Sequence, residues 1–300
     1  RMQNFTLTRP EFQYAGTVNN YAGVEALTPP RALTADAAVS YFIPTTGTKL
    51  RVHAGNAYRA PGLYERYGTG FFYNSVINAV AFSPYGDPRL APDRYNTVDG
   101  GIDQYLFRDR LRLSGTWYYI RTVQITQFDS SANVVKPGLD PFGRFSGYIN
   151  GAGGSTRGGE FTVEMRPVRS TLLRGSYSFV NADTVQDTTV RGIFSALGVP
   201  AHTVQLMAHR QLGRRTDVTM DLFRSSDYYG PLFAGGRTRA YAFAGVTKLD
   251  LVVSHAVWTG EKHTLKAYAK VDNALHQRYF ENGFLAPRAS FLTGLQVLFR

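Results

Sequence analysis

An alternation with a period of two near the C-terminus constrains the fold more than any other feature. Over Lys262–Asp272, His263, Leu265, Ala267, Ala269 and Val271 fall on one side, and Lys262, Thr264, Lys266, Tyr268, Lys270 and Asp272 on the other. Successive side chains of a β-strand point to opposite faces, so this run predicts a strand with one apolar and one polar face. After a loop, Phe291, Thr293, Leu295, Val297 and Phe299 alternate in the same way.

The same period recurs upstream. Leu33, Ala35, Ala37, Val39, Tyr41 and Ile43 oppose Thr34, Asp36 and Ser40, while Leu50, Val52 and Ala54 oppose Arg51 and His53. Further strands are predicted over 95–107, 111–126, 160–166, 171–181, 202–211, 216–226 and 241–257. From Arg31 onward this gives eleven strands, in five hairpins and a closing strand. Short turns at 44–48, 108–110, 167–170, 212–215 and 258–261 close the hairpins. Long, Gly-, Pro- and Asn-containing segments at 60–93, 128–154, 182–200, 227–239 and 274–288 link one hairpin to the next.

One end of such a sheet carries tight turns and the other long loops, which is the asymmetry of outer-membrane barrels. Most of the predicted strands reach the roughly 9–11 residues that a tilted strand needs to cross. The first and last strands both run from the loop side to the turn side. Closure therefore requires one more strand before Arg31, and Asn4–Thr17 is the segment that would supply it. The expectation is an all-β, transmembrane, antiparallel up-and-down barrel with about twelve strands, residues 1–30 being a poorly defined strand and loop.

Composition agrees. Aromatic residues make up 14% of the chain and glycine contributes 30 residues, a mix that suits strands, tight turns and interfacial girdles. Without cysteine, neither a disulfide framework nor a thiolate metal site is available. No run approaches about 18 consecutive apolar residues, which argues against a membrane-spanning helix. The net charge of +11 rests on 33 basic residues, only six of them Lys. They are scattered along strands and turns with no basic helix or nucleic-acid module, so nucleic acid is not an expected partner, and anionic lipid or an anionic ligand stays open; outer-membrane lipid and lipopolysaccharide are the expected lipid partners. Arg1–Phe5 lack the apolar core of a signal peptide, so a leader is expected to have been removed or to lie outside the chain.

Five segments then resemble one family. His53-Ala-Gly-Asn-Ala-Tyr-Arg-Ala-Pro-Gly-Leu-Tyr-Glu-Arg-Tyr67 resembles the Arg-Ala-Pro-x-Leu-x-Glu signature of TonB-dependent outer-membrane receptors. Leu90-Ala-Pro-Asp-Arg-Tyr-Asn-Thr-Val-Asp99 is similar to their Leu-x-Pro-Glu element, with Asp93 and Asp99 in place of Glu. Asn150–Phe161 resembles the family's Asn-x-Gly…Gly-x-Glu lead into a strand, with Ala152 for the first Gly. Lys270–Tyr279 resembles its Val-x-Asn-Leu…Tyr element, with Ala274 for Leu, and Pro287-Arg288 with Gly294–Phe299 resembles its ending, one residue short between Pro and Arg. Arg300 departs from the family by following the terminal aromatic.

The resemblance implies a barrel of about 22 strands around an N-terminal plug. The strands read here then form its C-terminal half, residues 1–300, with the plug absent from the chain. It implies uptake of a scarce metal chelate powered by a TonB complex acting through that plug. A ferric siderophore is the foremost cargo, with cobalamin, haem or a carbohydrate as alternatives. It also implies that Gly294, Val297 and Phe299 are read by the barrel-assembly machinery. A self-contained twelve-strand pore or enzyme is the alternative of another class, and it requires a closed ring.

Loop residues Tyr67, Phe72, Tyr73, Tyr85 and Arg89, and a second group of Tyr228, Tyr229, Arg237 and Arg239, combine aromatic faces with guanidinium groups. Such a surface holds a planar or catecholate chelate by stacking and charge, and equally suits girdle and loop packing. Arg51, Arg112 and Arg174 fall on faces predicted to line the lumen, where they either contact the plug or an anionic ligand or are solvated. The six histidines show neither metal-ligand spacing nor a carboxylate partner in register, so no metal site or cofactor is expected. Neither a phosphate-binding loop nor a nucleophile elbow is present, and no catalytic residue is expected.

Overall fold

Every strand leaves backbone N–H and C=O groups on both of its edges, and this chain satisfies them by pairing each strand with the next one in sequence. The computed structural model describes residues 2–3, 13–14, 17–18, 32–74, 78–129, 135, 139–183, 198–234, 237–281 and 283–299. Eleven strands form an unbroken antiparallel meander: β1 (Asp36–Ile43), β2 (Thr48–Arg59), β3 (Asp93–Leu106), β4 (Leu111–Asp129), β5 (Ser155–Met165), β6 (Thr171–Asp183), β7 (His202–Leu212), β8 (Thr216–Ser225), β9 (Thr247–Thr259), β10 (His263–Asp272) and β11 (Ser290–Phe299). The segment Gly147–Ala152 is the twelfth member, lying off this path against the loop-side half of β4. Among the described residues β1 and β11 pair on one side only.

This twelfth member is distinct from the strand expected before Arg31. Most of Asn4–Thr17 lies outside the described residues, which there include only the two-residue pair Gln13–Tyr14 and Thr17–Val18. Gly147–Ala152 joins the sheet because β4 overshoots: at 19 residues it is far longer than a crossing requires, and its upper part needs a partner. The pairing of β4 with β5 ends at Arg121–Ser155 and resumes with the added strand at Gln124–Ala152. Gly153 sits in the intervening kink, where a Cβ would come within 1.7 Å of the Thr122 carbonyl oxygen. Only glycine fits there.

Two predicted loops contain more structure than their composition suggests. Residues 60–93 hold a five-residue helix, Leu63–Tyr67, and a hairpin of Thr69–Asn74 with Ala79–Pro84. The segment predicted as a loop over 227–239 is the hairpin Tyr228–Ala234 with Arg237–Phe243, so β9 starts at Thr247 and not at Tyr241. Aromatic residues favour strands even where Gly and Pro interrupt them.

The faces sort as the alternation predicts. Leu50, Val52, Trp117, Phe161, Phe291 and Leu295 lie open on one face. Arg51, Asp99, Asp103 and Thr116 share the other. Burial of apolar surface contributes about 25 cal/mol per Å², so an open apolar face of this extent calls for hydrocarbon against it. No helix among the described residues is long and apolar enough to cross a membrane. Buried apolar residues gather instead at the loop bases, as Tyr67, Leu90, Val135, Phe142, Val246, Tyr279 and Ala286.

Candidate functional site

Two anchors hold the long loops to the sheet. The first begins where Arg59 ends β2 opposite Asp93, the first residue of β3. Arg59 Nε donates to Asp93 at 2.6 Å, and its Nη1 reaches both Glu65 oxygens at 2.9 and 3.0 Å. Asp93, only 1% exposed, also accepts the backbone N–H of Thr126 on β4 at 2.6 Å. Glu65 in turn accepts the Gly62 N–H at 2.6 Å, which fixes the start of the short helix. The next residue of that helix, Arg66, donates to the Pro88 carbonyl at 2.9 Å. Asn150 brackets Ala91, accepting its N–H and donating to its C=O, both at 2.7 Å.

Above this lies a buried ionic knot between two loops. Arg144, 3% exposed in its side chain, donates to Asp140 at 2.8 Å, to Asp87 at 3.1 Å and to the Tyr148 carbonyl at 2.9 Å. Asp87 also takes two hydrogen bonds from the Arg89 guanidinium, at 3.0 and 2.8 Å. Burial opposes ionisation of Asp140, but the guanidinium and N–H of Arg144 and the N–H of Phe142 outweigh it and hold its carboxyl below the usual range. The hydrogen bond to Asp87 raises the Arg89 value against the opposing effect of burial, so Arg89 stays charged. A pocket of about 390 Å³ opens here, lined by Asp87, Arg89, Leu90, Leu139, Asp140 and Arg144.

Beside the knot stand Tyr64, Tyr85, Phe128 and Tyr148, with ring centroids 5.1–6.4 Å apart in the contacting pairs. The Tyr85 hydroxyl donates to the Thr69 carbonyl at 2.6 Å and lies 2.5 Å from the Tyr64 hydroxyl. Burial and then the Tyr64 hydrogen bond push the Tyr85 phenol well above its ordinary value, so it stays neutral.

The second anchor is made of amides. Asn273, 1% exposed and in the left-handed region at φ 50°, follows β10. Its side chain accepts the Gln277 N–H at 3.1 Å and donates to the Gln277 and Pro287 carbonyls at 2.8 and 3.4 Å. Its own N–H donates to Asp250 at 2.8 Å. Gln277 continues the link, accepting from Thr247 N–H and donating to the Gly245 carbonyl at 3.3 Å. Val246, Tyr279 and Ala286 form a small apolar cluster in the same region.

Of the residues singled out from sequence, Tyr67 is 2% exposed and packs within the first anchor, so it supports the loop from inside and offers no open face. Phe72 and Tyr73 lie on Thr69–Asn74, opposite Ala81 and Val80. Tyr85 and Arg89 are brought to the ionic knot, where Arg89 also packs over Phe142 with 5.1 Å to its ring centroid. Tyr228 and Tyr229 lie on the other hairpin, where Arg239 and Arg237 pair in register with Leu232 and Ala234. Tyr228 stacks on Phe243 at 5.3 Å, and Tyr229 is exposed. Among the described residues no hydrogen bond, salt bridge or ring contact of Tyr85 or Arg89 reaches this hairpin.

On the inner face Arg51 and Arg112 share the buried carboxylate of Asp103, at 3.5 and 3.2 Å. Arg174 stands opposite Glu164, which in turn stands opposite Arg112. His53 does have a carboxylate in register, contrary to expectation: its Nδ1 lies 2.7 Å from Asp99. The two residues are brought together across a loop whose length hid their register. Among the described residues no group of three or more His, Asp or Glu is placed to hold a metal. At the C-terminus Gly294 faces Tyr268, whose hydroxyl would lie 2.5 Å from a Cβ. Val297 pairs with Leu265, and the Phe299 ring meets His263 edge-on at 5.0 Å.

Sequence reasoning missed Asp87, Asp140, Arg144, Tyr64 and Tyr148. It did flag Arg59, Glu65, Asp93, Asn150 and Asn273, as members of recurring motifs. Their role is now visible: the motifs are the joints by which loops are fastened to strands.

No curated protein sequence matches the chain. Among solved structures it is similar to a variant of the ferric enterobactin receptor PfeA of Pseudomonas aeruginosa, with a TM-score of 0.68 at 13% identity over 90% of this chain and 40% of that one. The siderophore receptor PirA of Acinetobacter baumannii gives 0.66 at 12% identity, over 91% of this chain and 41% of PirA. The ferripyoverdine receptor of Pseudomonas aeruginosa gives 0.65 at 14%, over 91% of this chain and 34% of the receptor. The chain thus spans about two fifths or less of the length of these structures, and at such identities they speak for the fold. The sequence profile described as TonB dependent receptor-like, beta-barrel matches residues 4–274, and the chain belongs to that family.

Proposed function

We propose that residues 1–300 are the C-terminal part of the wall of an outer-membrane receptor that imports a scarce metal chelate, a ferric siderophore before other cargo, with energy delivered through TonB. The observation that carries this reading is the family match over 4–274, in a chain whose structural neighbours over most of its length are named as siderophore receptors. In this reading the long loops face outward and capture cargo. Phe72, Tyr73, Tyr85, Arg89, Tyr228, Tyr229, Arg237 and Arg239 supply stacking faces and positive charge. Tyr67 holds their base. Arg51, Arg112 and Arg174 line the interior against a plug. Gly294, Val297 and Phe299 present the terminal strand to the barrel-assembly machinery. No step of this function calls for catalysis by the chain.

The test is uptake. The receptor gene encoding this chain is placed in iron-starved cells lacking their own siderophore receptors, with and without TonB. Labelled ferric siderophores, cobalamin and haem are supplied in parallel. TonB-dependent accumulation of a ferric siderophore is expected. TonB-dependent accumulation of cobalamin or haem alone would reassign the cargo, and uptake indifferent to TonB would overturn the reading.

A further inference from the structure

The outward face of β3, β4 and β5 carries a feature that cargo uptake does not use. Gly100, Gly115 and Gly159 lie on the apolar face, with Trp117 between Gly100 and Gly159, and with Phe161 and Ile102 flanking Gly115. Together with Tyr177 and Phe179 they line a depression of about 610 Å³. Glycine within a strand weakens it and calls for a reason. On the inner face the reason is crowding, since a Cβ at Gly158 would meet the Tyr118 hydroxyl at 2.4 Å and one at Gly101 the Arg51 guanidinium at 2.8 Å. On the outer face that reason is missing. A Cβ at Gly100, Gly115 or Gly159 would approach nothing nearer than 3.9, 3.8 and 3.6 Å, and none of the three has a positive φ. The backbone tolerates side chains there, and the hollow exists because they are absent.

Directly toward the loop side of the hollow, the same face carries three exposed arginines. Arg157 precedes Gly159 by two residues on β5, about 7 Å along the strand. Arg121 on β4 pairs with Ser155 on one side and Asn96 on the other, making it a diagonal neighbour of both Arg157 and Arg94. Among the described residues none of the three forms a salt bridge, in contrast to Arg51, Arg59, Arg112 and Arg144. Asp183, the acidic residue at this level, pairs with Ser155, so its backbone is diagonal to Arg157 and two strands away from Arg121. Tyr119, opposite Arg157, stacks with Trp117 at 6.4 Å and joins the arginines to the hollow.

We infer that this face is a seat for one phosphorylated, multiply acylated glycolipid of the outer leaflet, its phosphate on Arg94, Arg121 and Arg157 and one acyl chain in the glycine hollow. This rests on the outer-membrane reading above, which puts the loop side in the outer leaflet. Phosphate accepts charge-assisted bonds from guanidinium groups, each worth about a factor of ten or more in affinity. A chain lying along the strands extends from that phosphate into the hollow without crossing a side chain of Gly100, Gly115 or Gly159.

The test is lipid retention by the receptor containing this chain, extracted from outer membranes and weighed intact by native mass spectrometry. One bound phosphorylated glycolipid is expected on the unaltered receptor. The triple variant Arg94→Gln/Arg121→Gln/Arg157→Gln should retain about tenfold less or lower still. Gly159→Leu, which fills the hollow and leaves the charges in place, should also lose it. Exchange against the same glycolipid with its phosphates removed should fail, while inner-face Arg174→Gln should retain lipid as before. Retention unchanged in both outer-face variants, or equal retention of the dephosphorylated lipid, overturns the site. A receptor found in the outer membrane but without lipid refutes only this site; absence from that membrane refutes the functional reading instead.

Discussion

The two loop anchors solve one problem with different chemistry. The first gathers Arg59, Arg89 and Arg144 against Glu65, Asp87, Asp93 and Asp140, joining partners as far apart as Asp87 and Arg144, 57 residues. The second hangs on two amides: Asn273, whose side-chain partners lie 4 and 14 residues on, and Gln277, which reaches back 30 and 32 residues to Thr247 and Gly245. Loop length accounts for the difference. Excursions over 60–92 and 130–154 are too long to be closed by local turns. Charged hydrogen bonds between loops hold them, at the cost of desolvating several ions. The excursion after β10 is shorter than these, and a left-handed asparagine with a capping side chain fastens its start. Ionic anchors therefore suit the longest loops, and amide anchors suit shorter excursions.

The sharpest way to break this comparison is Arg144→Met, which leaves the buried Asp140 carboxylate without its guanidinium partner while Asp87 keeps Arg89. Removing one partner of a buried ion pair costs about 3–5 kcal/mol. Limited proteolysis of the receptor in membranes, with cleavage sites mapped by mass, should show new cuts between 139 and 146 and none between 273 and 288. Cutting confined to the second region, or no new cutting, would show that the ionic knot does not hold its loop.

A smaller effect is expected from Asn273→Ala. It leaves the backbone groups of Gln277 and the Pro287 carbonyl without their side-chain partner, at about 1–3 kcal/mol. A Cβ-bearing residue without a local hydrogen bond also sits poorly at a positive φ. Amide hydrogen exchange should rise over 273–279 while 139–144 keeps its protection. Asn273→Asp should be intermediate, because it keeps the acceptor for the Gln277 N–H and loses the two donors.

These residues also show how far the sequence could be read. Alternation located the strands because lipid on one side and polar contacts on the other sort every second side chain. Motif likeness picked out Arg59, Glu65, Asp93, Asn150 and Asn273, but without the roles they play. The ionic knot was not legible at all. Asp140 lies in a stretch whose composition reads as loop, and nothing local to it announces an arginine that also reaches back 57 residues to Asp87. His53 and Asp99 escaped for the same reason, since their register depends on a loop of unread shape. The hairpins at 69–84 and 228–243 were hidden by Gly and Pro within otherwise strand-forming aromatics.

Acid should separate the anchors again, more gently. The Asp140 carboxyl is held below its ordinary value in the folded chain, so its stabilisation is present above the unfolded value and is lost as pH falls through the lowered one. Lowering the pH from 7 to about 3 should raise exchange at 139–144 before it does at 273–279, where one carboxylate, Asp250, touches the anchor. Loosening of both together, or of the second first, would mean that the ionic knot does not depend on charge.

The finest distinction is within the first anchor, between its ions and its aromatic rings. Tyr85→Phe keeps the ring against Tyr64, Phe128 and Tyr148 and deletes only the hydroxyl that meets Tyr64 and Thr69. A loss of about 0.5–1.5 kcal/mol is expected, seen as modestly faster exchange at 69–74 with no new cutting near 139–146. Tyr85 is also a proposed cargo-stacking residue, and the two roles separate in one experiment. If the ring is what cargo meets, Tyr85→Phe leaves siderophore uptake unchanged while Tyr85→Ala reduces it. If Tyr85→Phe reduces uptake as much as Tyr85→Ala, the hydroxyl's hold on the Thr69 strand matters more than stacking. The residue then belongs with Tyr67, as part of the frame and not of the surface it carries.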